Sequence, residues 1–174
     1  MMVIRALLLW LVLALPAAAQ QQGGLPILII DSDRLFVETQ YGRRIAADLA
    51  AQAADMQAEN DRIAATLTEE ERSLTLRRPE MTPEAFRIAA EAFDNKVQDV
   101  RRVRDAKTGE LQQLSIENRA RFEERVQGIV ANIMLDRGAA MVLEQRTVVL
   151  SVKAANITDE AIARIDATLG DGTE

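Results

Sequence analysis

The chain has 174 residues and a formal net charge of -6, with no cysteine, no histidine and only 3% aromatic residues. This composition excludes a disulfide framework, a thiol nucleophile and imidazole chemistry, and the acidic balance does not favour general binding to nucleic acid or to an anionic membrane. Much of the hydrophobic fraction is alanine, which favours helix strongly and buries little area, so we expect thin helical rods rather than a large globular core.

Residues 1–19 have the layout of a secretory signal peptide. A single basic residue, Arg5, precedes an apolar run over residues 6–15, and small residues follow up to Ala19. The alternative is a retained membrane anchor, but the apolar run is shorter than the roughly 20 residues that a span needs. We therefore predict cleavage after Ala19 and a soluble mature protein outside the cytoplasm, without stable membrane insertion.

Residues 20–42 are predicted to form the first part of a small body. Ile27–Ile30 is a short aliphatic run typical of a buried strand, and the Asp31–Asp33 triplet can cap a helix that begins near Asp33. A D-x-D triplet can also bind a divalent cation with a sugar nucleotide. Capping is favoured, because no further carboxylates or phosphate-binding glycines follow. Gly42 weakens the helix and is expected to mark where the body meets the next unit.

Residues 43–136 are predicted to form one long antiparallel helical hairpin, which we call the arm. The segment 77–83 contains two prolines and interrupts the pattern, so the chain turns there, with Thr82 as N-cap and Pro83 at the first helical position. The second helix would be roughly 75 Å long and must project from the body. Apolar residues recur at spacings of three and four along both helices: Ile45, Leu49, Met56, Ile63, Leu67 and Leu74, then Phe86, Ala90, Phe93, Val97, Val100, Leu111 and Leu114, with a shifted register at Phe122, Val126, Ile129 and Ile133.

Residues 137–174 are predicted to complete the body. Gly138 is a natural helix stop, and residues 140–144 and 147–152 are predicted to be two strands of a hairpin. Thr158 is the expected N-cap of a last helix, and residues 170–174 are expected to be a frayed tail. Three strands meeting at the base would leave open edges that self-association could cover. The predicted fold class is α+β, mostly α.

The two ends of the mature chain resemble the Skp (OmpH-like) family of periplasmic chaperones. The resemblance depends on Ile29–Phe36 followed by Gly42, and on Gly138–Glu144, then Val148 and Asn156–Thr158. It covers essentially the whole mature chain, and the terminal motifs carry it, since any coiled-coil hairpin would match the middle. Two features depart from the family: many members are basic, whereas this chain is acidic, and Asn156 stands where the family often has Asp.

The resemblance implies a homotrimer whose body is a β-barrel-like assembly of the terminal strands, with three helical arms around a central cavity. It also implies a periplasmic location and an activity: holding unfolded outer-membrane β-barrel proteins in that cavity without ATP. The many weak contacts of such an enclosure would add up to tight binding. The rival hypothesis is a coiled-coil spacer or adaptor of the cell envelope that binds a folded partner through its tip.

Three apolar residues near the turn, Leu76, Met81 and Phe86, are candidates for contact with unfolded clients, and the alternative is that they only pack the tip. We assign no catalytic, cofactor-binding or metal-binding residue and do not expect an enzyme. The K-T-G sequence at 107–109 lacks the Ser-x-x-Lys partner of penicillin-recognising enzymes, and no phosphate-binding loop supports ATP-driven work. Gly109 is either a flexible point in the arm or merely tolerated.

Overall fold

The computed structural model describes residues 26–173, so the predicted signal peptide lies outside the described residues. The fold is mostly helical with a small sheet, which confirms the predicted class. Its elements in chain order are β1 (Ile27–Ile30), α1 (Ser32–Glu38), α2 (Gln40–Arg77), α3 (Pro83–Asp136), β2 (Met141–Glu144) and α4 (Thr158–Leu169), with short 3-10 turns at Arg78–Glu80, Gln145–Thr147 and Lys153–Ala155.

The helical hairpin is formed by α2 and α3, of 38 and 54 residues. At 1.5 Å per residue α3 is about 80 Å long, so the hairpin extends well beyond the body. The Thr82 hydroxyl accepts a hydrogen bond from the Ala85 N–H at 3.2 Å, and Pro83 occupies the first helical position, as predicted. Gly138 follows the end of α3 with a φ of 60°, which confirms it as the helix stop.

A break at Thr39 separates α1 from α2, where the sequence predicted one continuous helix. The Thr39 hydroxyl donates to the Leu35 carbonyl oxygen at 2.7 Å and accepts from the Gly42 N–H at 3.2 Å, so it ends one helix and caps the next. The resulting bend presses Gly42 onto the backbone of Phe36. A Cβ on Gly42 would lie 1.7 Å from the Phe36 carbonyl oxygen, so only glycine fits there.

The sheet has two strands within the described residues, and they run parallel. Ile27 pairs with Met141 and Ile30 with Glu144, and a single parallel bridge joins Ile29 to Asn156. Parallel strands need a long crossover connection, and here the entire helical hairpin serves as that crossover.

The predicted strand at 147–152, and with it the β-hairpin and the three-stranded base, is wrong. Gln145–Thr147 forms a 3-10 turn instead, in which the Thr147 hydroxyl donates to the Glu144 carbonyl oxygen at 2.7 Å. This turn ends β2 and carries the chain away from the sheet. The mostly apolar residues 148–152 therefore have no neighbouring strand within residues 26–173.

The hydrophobic core lies in the body, where the lower end of α3 meets α1, α4, the sheet and the first turns of α2. Phe122 is its central side chain, and the rings of Phe36 and Tyr41 pack on it with centroids at 5.2 and 5.4 Å. The other buried members are Leu28, Ile30, Leu35, Ile45, Val126, Ile133, Ile157, Ala161 and Ile165.

Thr158 joins α4 to the end of β1 rather than capping α4, so the N-cap prediction is wrong. It is the first residue of the helix, and its buried hydroxyl accepts a hydrogen bond from the Asp31 N–H at 3.0 Å. The Asn156 side-chain oxygen instead accepts from the Thr158 N–H at 2.9 Å.

Replacing Thr158 with valine should lower the free energy of unfolding by about 1–3 kcal/mol, because the Asp31 N–H loses its acceptor while the side-chain volume is unchanged. Urea denaturation followed by circular dichroism would measure the change. The matched control is Thr68→Val, since Thr68 is exposed on α2. Equal urea midpoints for the two variants would contradict this account of Thr158.

Candidate functional site in the arm and the exposed apolar segment

The arm has no core of its own. Between residues 46 and 121, all of which the structure describes, no residue is fully buried. The predicted stripe residues between Leu49 and Leu114 do face the opposite helix, but each remains half-buried. The arm therefore keeps apolar atoms accessible to solvent along its whole length.

Three open cavities of about 400, 420 and 450 Å³ follow one another between the two helices, and we call them together the arm groove. Lys96 lines the first and second cavities, and Lys107 lines the second and third, so neighbouring cavities share a lining residue. Alanine supplies part of the wall, at Ala89 and Ala92 for example, and its small side chain leaves the space between the helices unfilled. The apolar lining includes Leu74, Phe93, Ile63, Val100, Val103, Met56, Leu111 and Leu114.

Two ion pairs join the helices across the groove. Lys96 pairs with Glu70, and the Lys107 ammonium lies 2.6 Å from a carboxylate oxygen of Glu59. All four side chains are 41–51% exposed, so each pair contributes at most about 1 kcal/mol. The pairs show which residues of the two helices lie side by side, and they add little to the stability of the arm.

The tip of the arm carries the three residues singled out from the sequence. Leu76 is 69% exposed, whereas Met81 and Phe86 are half-buried, and the Arg78 guanidinium lies 5.0 Å from the centre of the Phe86 ring. The structure thus gives Leu76 an open position, and Phe86 a cationic neighbour. Contact of these three residues with a client stays a prediction.

Further exposed apolar side chains lie away from the tip and were missed by the sequence analysis. Their position outside the three-and-four-residue stripe was the available indication, because an apolar residue off the stripe has no helix to pack against. They are Ile88 and Ile116 on α3.

The body carries an exposed apolar segment, residues 148–152, between its two last 3-10 turns. Val149 is 94% exposed, Leu150 is 90% exposed, and Val152 is also exposed. Met141 and Leu143 of the neighbouring strand β2 are exposed too. An apolar patch of this kind on a small body marks an interaction surface.

Both aspartates of the D-x-D triplet interact with other residues of the folded chain. The Asp31 carboxylate accepts from the Arg34 N–H at 3.0 Å and caps α1, while Asp33 forms an ion pair with Arg119 at 2.9 Å. Within residues 26–173 no group of three or more acidic residues could hold a metal ion. The capping interpretation is therefore confirmed for Asp31.

The K-T-G sequence lies in the middle of α3 rather than on a strand, and the Thr108 hydroxyl donates to the Arg104 carbonyl oxygen at 2.9 Å. It has no resemblance to the strand that carries this motif in penicillin-recognising enzymes. In the described part of the chain, no helix combines the length and the apolar character that a membrane crossing requires.

A long helical hairpin with an exposed apolar groove, set as the crossover of a small parallel sheet, defines a class of coiled-coil-armed proteins. Comparison with family models places the chain within that class: the model for outer membrane protein (OmpH-like) matches residues 26–165. The chain therefore belongs to the OmpH-like family.

A solved structure supports the fold. The chain is similar, with a TM-score of 0.78 and 20% identity, to a candidate outer membrane chaperone (OmpH-like) from Caulobacter crescentus CB15, whose crystal structure has 2.83 Å resolution. The alignment covers 83% of this chain and 86% of that one. Comparison with curated proteins gave no match.

Proposed function

We propose that this protein is an ATP-independent holdase chaperone of the periplasm, which encloses unfolded outer-membrane β-barrel proteins between helical arms and prevents their aggregation. Membership of the OmpH-like family supports a chaperone role. The observation that carries the proposal is the arm itself, which has no fully buried residue between positions 46 and 121 and exposes an apolar groove.

The arm groove suits a client that is unfolded rather than one of fixed shape. Its cavities are shallow and open, and charged side chains border an apolar floor. Each contact with an extended chain is weak, but several contacts made at once bind tightly through their effective concentration. A client leaves when its own folding in the membrane outcompetes these contacts, so no nucleotide is needed.

We also propose that the protein acts as a homotrimer held by the exposed apolar segment. Val149, Leu150 and Val152 of this segment are exposed, as are Met141 and Leu143 of β2, so pairing with a second copy would cover both. Three copies would place three arms around one space. This arrangement gives enclosure, which a single arm does not provide.

In the adaptor alternative, the tip binds one folded partner. The exposure of Leu76, together with the Arg78–Phe86 contact, gives it some support. The two functions differ in how binding is distributed, since an adaptor depends on a few tip residues and a holdase depends on the whole arm.

The holdase proposal predicts that a chain beginning at Gln20 keeps an unfolded β-barrel protein soluble without nucleotide. Light scattering after dilution of the client from urea should stay near baseline when the chaperone is in molar excess. Aggregation at the same rate with and without the protein would refute the proposal.

A variant with Leu76, Met81 and Phe86 all replaced by serine separates the two functions. A holdase with contacts along the arm should keep most of its protective effect, because the arm groove is intact. Complete loss of protection in a variant with unchanged circular dichroism would instead show that binding depends on the tip, as the adaptor alternative requires.

A further inference from the structure

The end of the described chain, residues 170–173, crosses the root of the arm, and we call this segment the tail strap. It was predicted to be frayed, and for these residues that prediction is wrong. Gly170 and Gly172 have φ values of 54° and 76°, and the Gly172 N–H donates to the Leu169 carbonyl oxygen at 2.8 Å. These left-handed positions turn the chain back from α4 onto the hairpin.

One carbonyl oxygen of the tail strap is shared by both helices of the hairpin. The Gly172 oxygen accepts from Arg125 of α3 at 3.1 Å and from Arg44 of α2 at 3.4 Å. Arg44 also donates to the Asp171 carbonyl oxygen at 2.6 Å. The strap thereby ties α4 to both helices of the arm at one point.

The ring of Tyr41 forms the floor beneath this point. Gly172 is buried against it, and a Cβ on Gly172 would lie 2.2 Å from a ring carbon. The guanidinium groups of Arg44 and Arg125 lie 5.5 and 5.1 Å from the centre of the same ring. A side chain larger than hydrogen at position 172 would therefore push the strap off its site.

The tail strap lies at the level where the arm leaves the core. Ile45 is the last buried residue on α2, and Phe122 is the first buried residue of α3 on the way back. Above this level the two helices are held by their half-buried stripe and by the ion pairs Lys96–Glu70 and Lys107–Glu59. Any swing of the arm relative to the body must therefore begin beside the strap.

We infer that the tail strap fixes the angle of the arm, by binding both of its helices through the Gly172 carbonyl where they leave the body. This goes beyond the proposed holdase function, because it concerns how far the arm can move and holds for any binding role. Without the strap, the arm would swing over a wider range while the core of the body remained folded.

Spin labels can test this directly, because the chain contains no cysteine. Cysteines introduced at Ala54 on α2 and Ala163 on α4, both exposed, would carry one label on the arm and one on the body. Labelled chains are mixed with a large excess of unlabelled chains, so that only distances within one chain contribute. Pulsed dipolar spectroscopy then gives the distribution of arm-to-body distances.

Gly172→Val should broaden that distribution at least about two-fold, with circular dichroism at 222 nm unchanged. Thr173→Val is the matched control, since Thr173 is exposed and the Gly172 contacts are retained. If Gly172→Val does not fold, the same distances are measured in Arg125→Met. This variant removes one hydrogen-bond donor to the tail strap and keeps the side chain at nearly the same length. A wild-type distribution in the folded variants would overturn the inference.

Discussion

Replacing Gly42 with alanine is expected to lower the free energy of unfolding of the body by about 3 kcal/mol or more. The added Cβ would lie 1.7 Å from the Phe36 carbonyl oxygen and 2.6 Å from its carbon, which are distances that only a backbone shift can relieve. Such a shift would move α1 against α2 and disturb the Thr39 hydrogen bonds that join them. Phe36 would also lose its edge-on contact with Phe122.

Tyrosine fluorescence and near-ultraviolet circular dichroism would measure this loss in the body rather than in the arm. Tyr41 is the chain's single tyrosine, and a chain that begins at Gln20 lacks the single tryptophan, Trp10. Tyr41 is buried in the core, so its signal follows unfolding of the body during urea titration.

Gly109→Ala is the matched control, because nothing lies within 4 Å of a Cβ built there. It should stabilise the arm by up to about 1 kcal/mol, since alanine favours helix over glycine. If the stabilised arm holds clients as well as the wild type, Gly109 is merely tolerated. If the stabilised arm holds clients less well, Gly109 is a flexible point that the function needs. A Gly42→Ala variant as stable as the wild type would contradict the close approach to Phe36.

Leu150→Lys is expected to convert the proposed trimer into monomers at micromolar concentration and to abolish most of the protection against aggregation. Leu150 is 90% exposed in the single chain, so lysine is tolerated there before assembly. In an interface between copies, the same charge would be buried without a partner, three times per trimer. Native mass spectrometry and sedimentation would report the assembly state, and light scattering would report the activity.

Ile116→Lys serves as the control for this change. Ile116 is 64% exposed and lies on the arm, so the charge changes by the same amount outside the exposed apolar segment. The control should keep the assembly state of the wild type. A wild-type chain that is monomeric at every concentration, or a Leu150→Lys chain that remains trimeric, would refute the proposed interface.

The arm could be predicted from the sequence because its structure depends on local spacing. The stripe from Leu49 to Leu114, the N-cap at Thr82 and the stop at Gly138 are each set by a few neighbouring residues, and all are found as expected. The half-burial of the stripe also follows from two helices alone, since each residue has only one neighbouring helix to cover it.

The body was predicted less well, because its contacts join residues far apart in the chain. The 147–152 segment has the β-branched and aliphatic composition of a strand, but a strand also needs a partner, and composition does not provide one. The break at Thr39 brings Gly42 against the backbone of Phe36. The burial of Gly172 depends on the ring of Tyr41, which is far from it in the chain. A glycine required by close approach, such as Gly42, has the same sequence pattern as Gly109, where a Cβ would meet nothing within 4 Å.

The parallel pairing of β1 with β2 also dictates the order in which the protein folds. Ile27 cannot meet Met141 until the whole hairpin between them is available, whereas the contacts between the two long helices begin at the tip turn and extend by short loops. The arm should therefore form first. The sheet and α4 can form only after residues 141–169 are available. During folding the chain would therefore pass through a stage in which the two long helices have formed and the sheet has not.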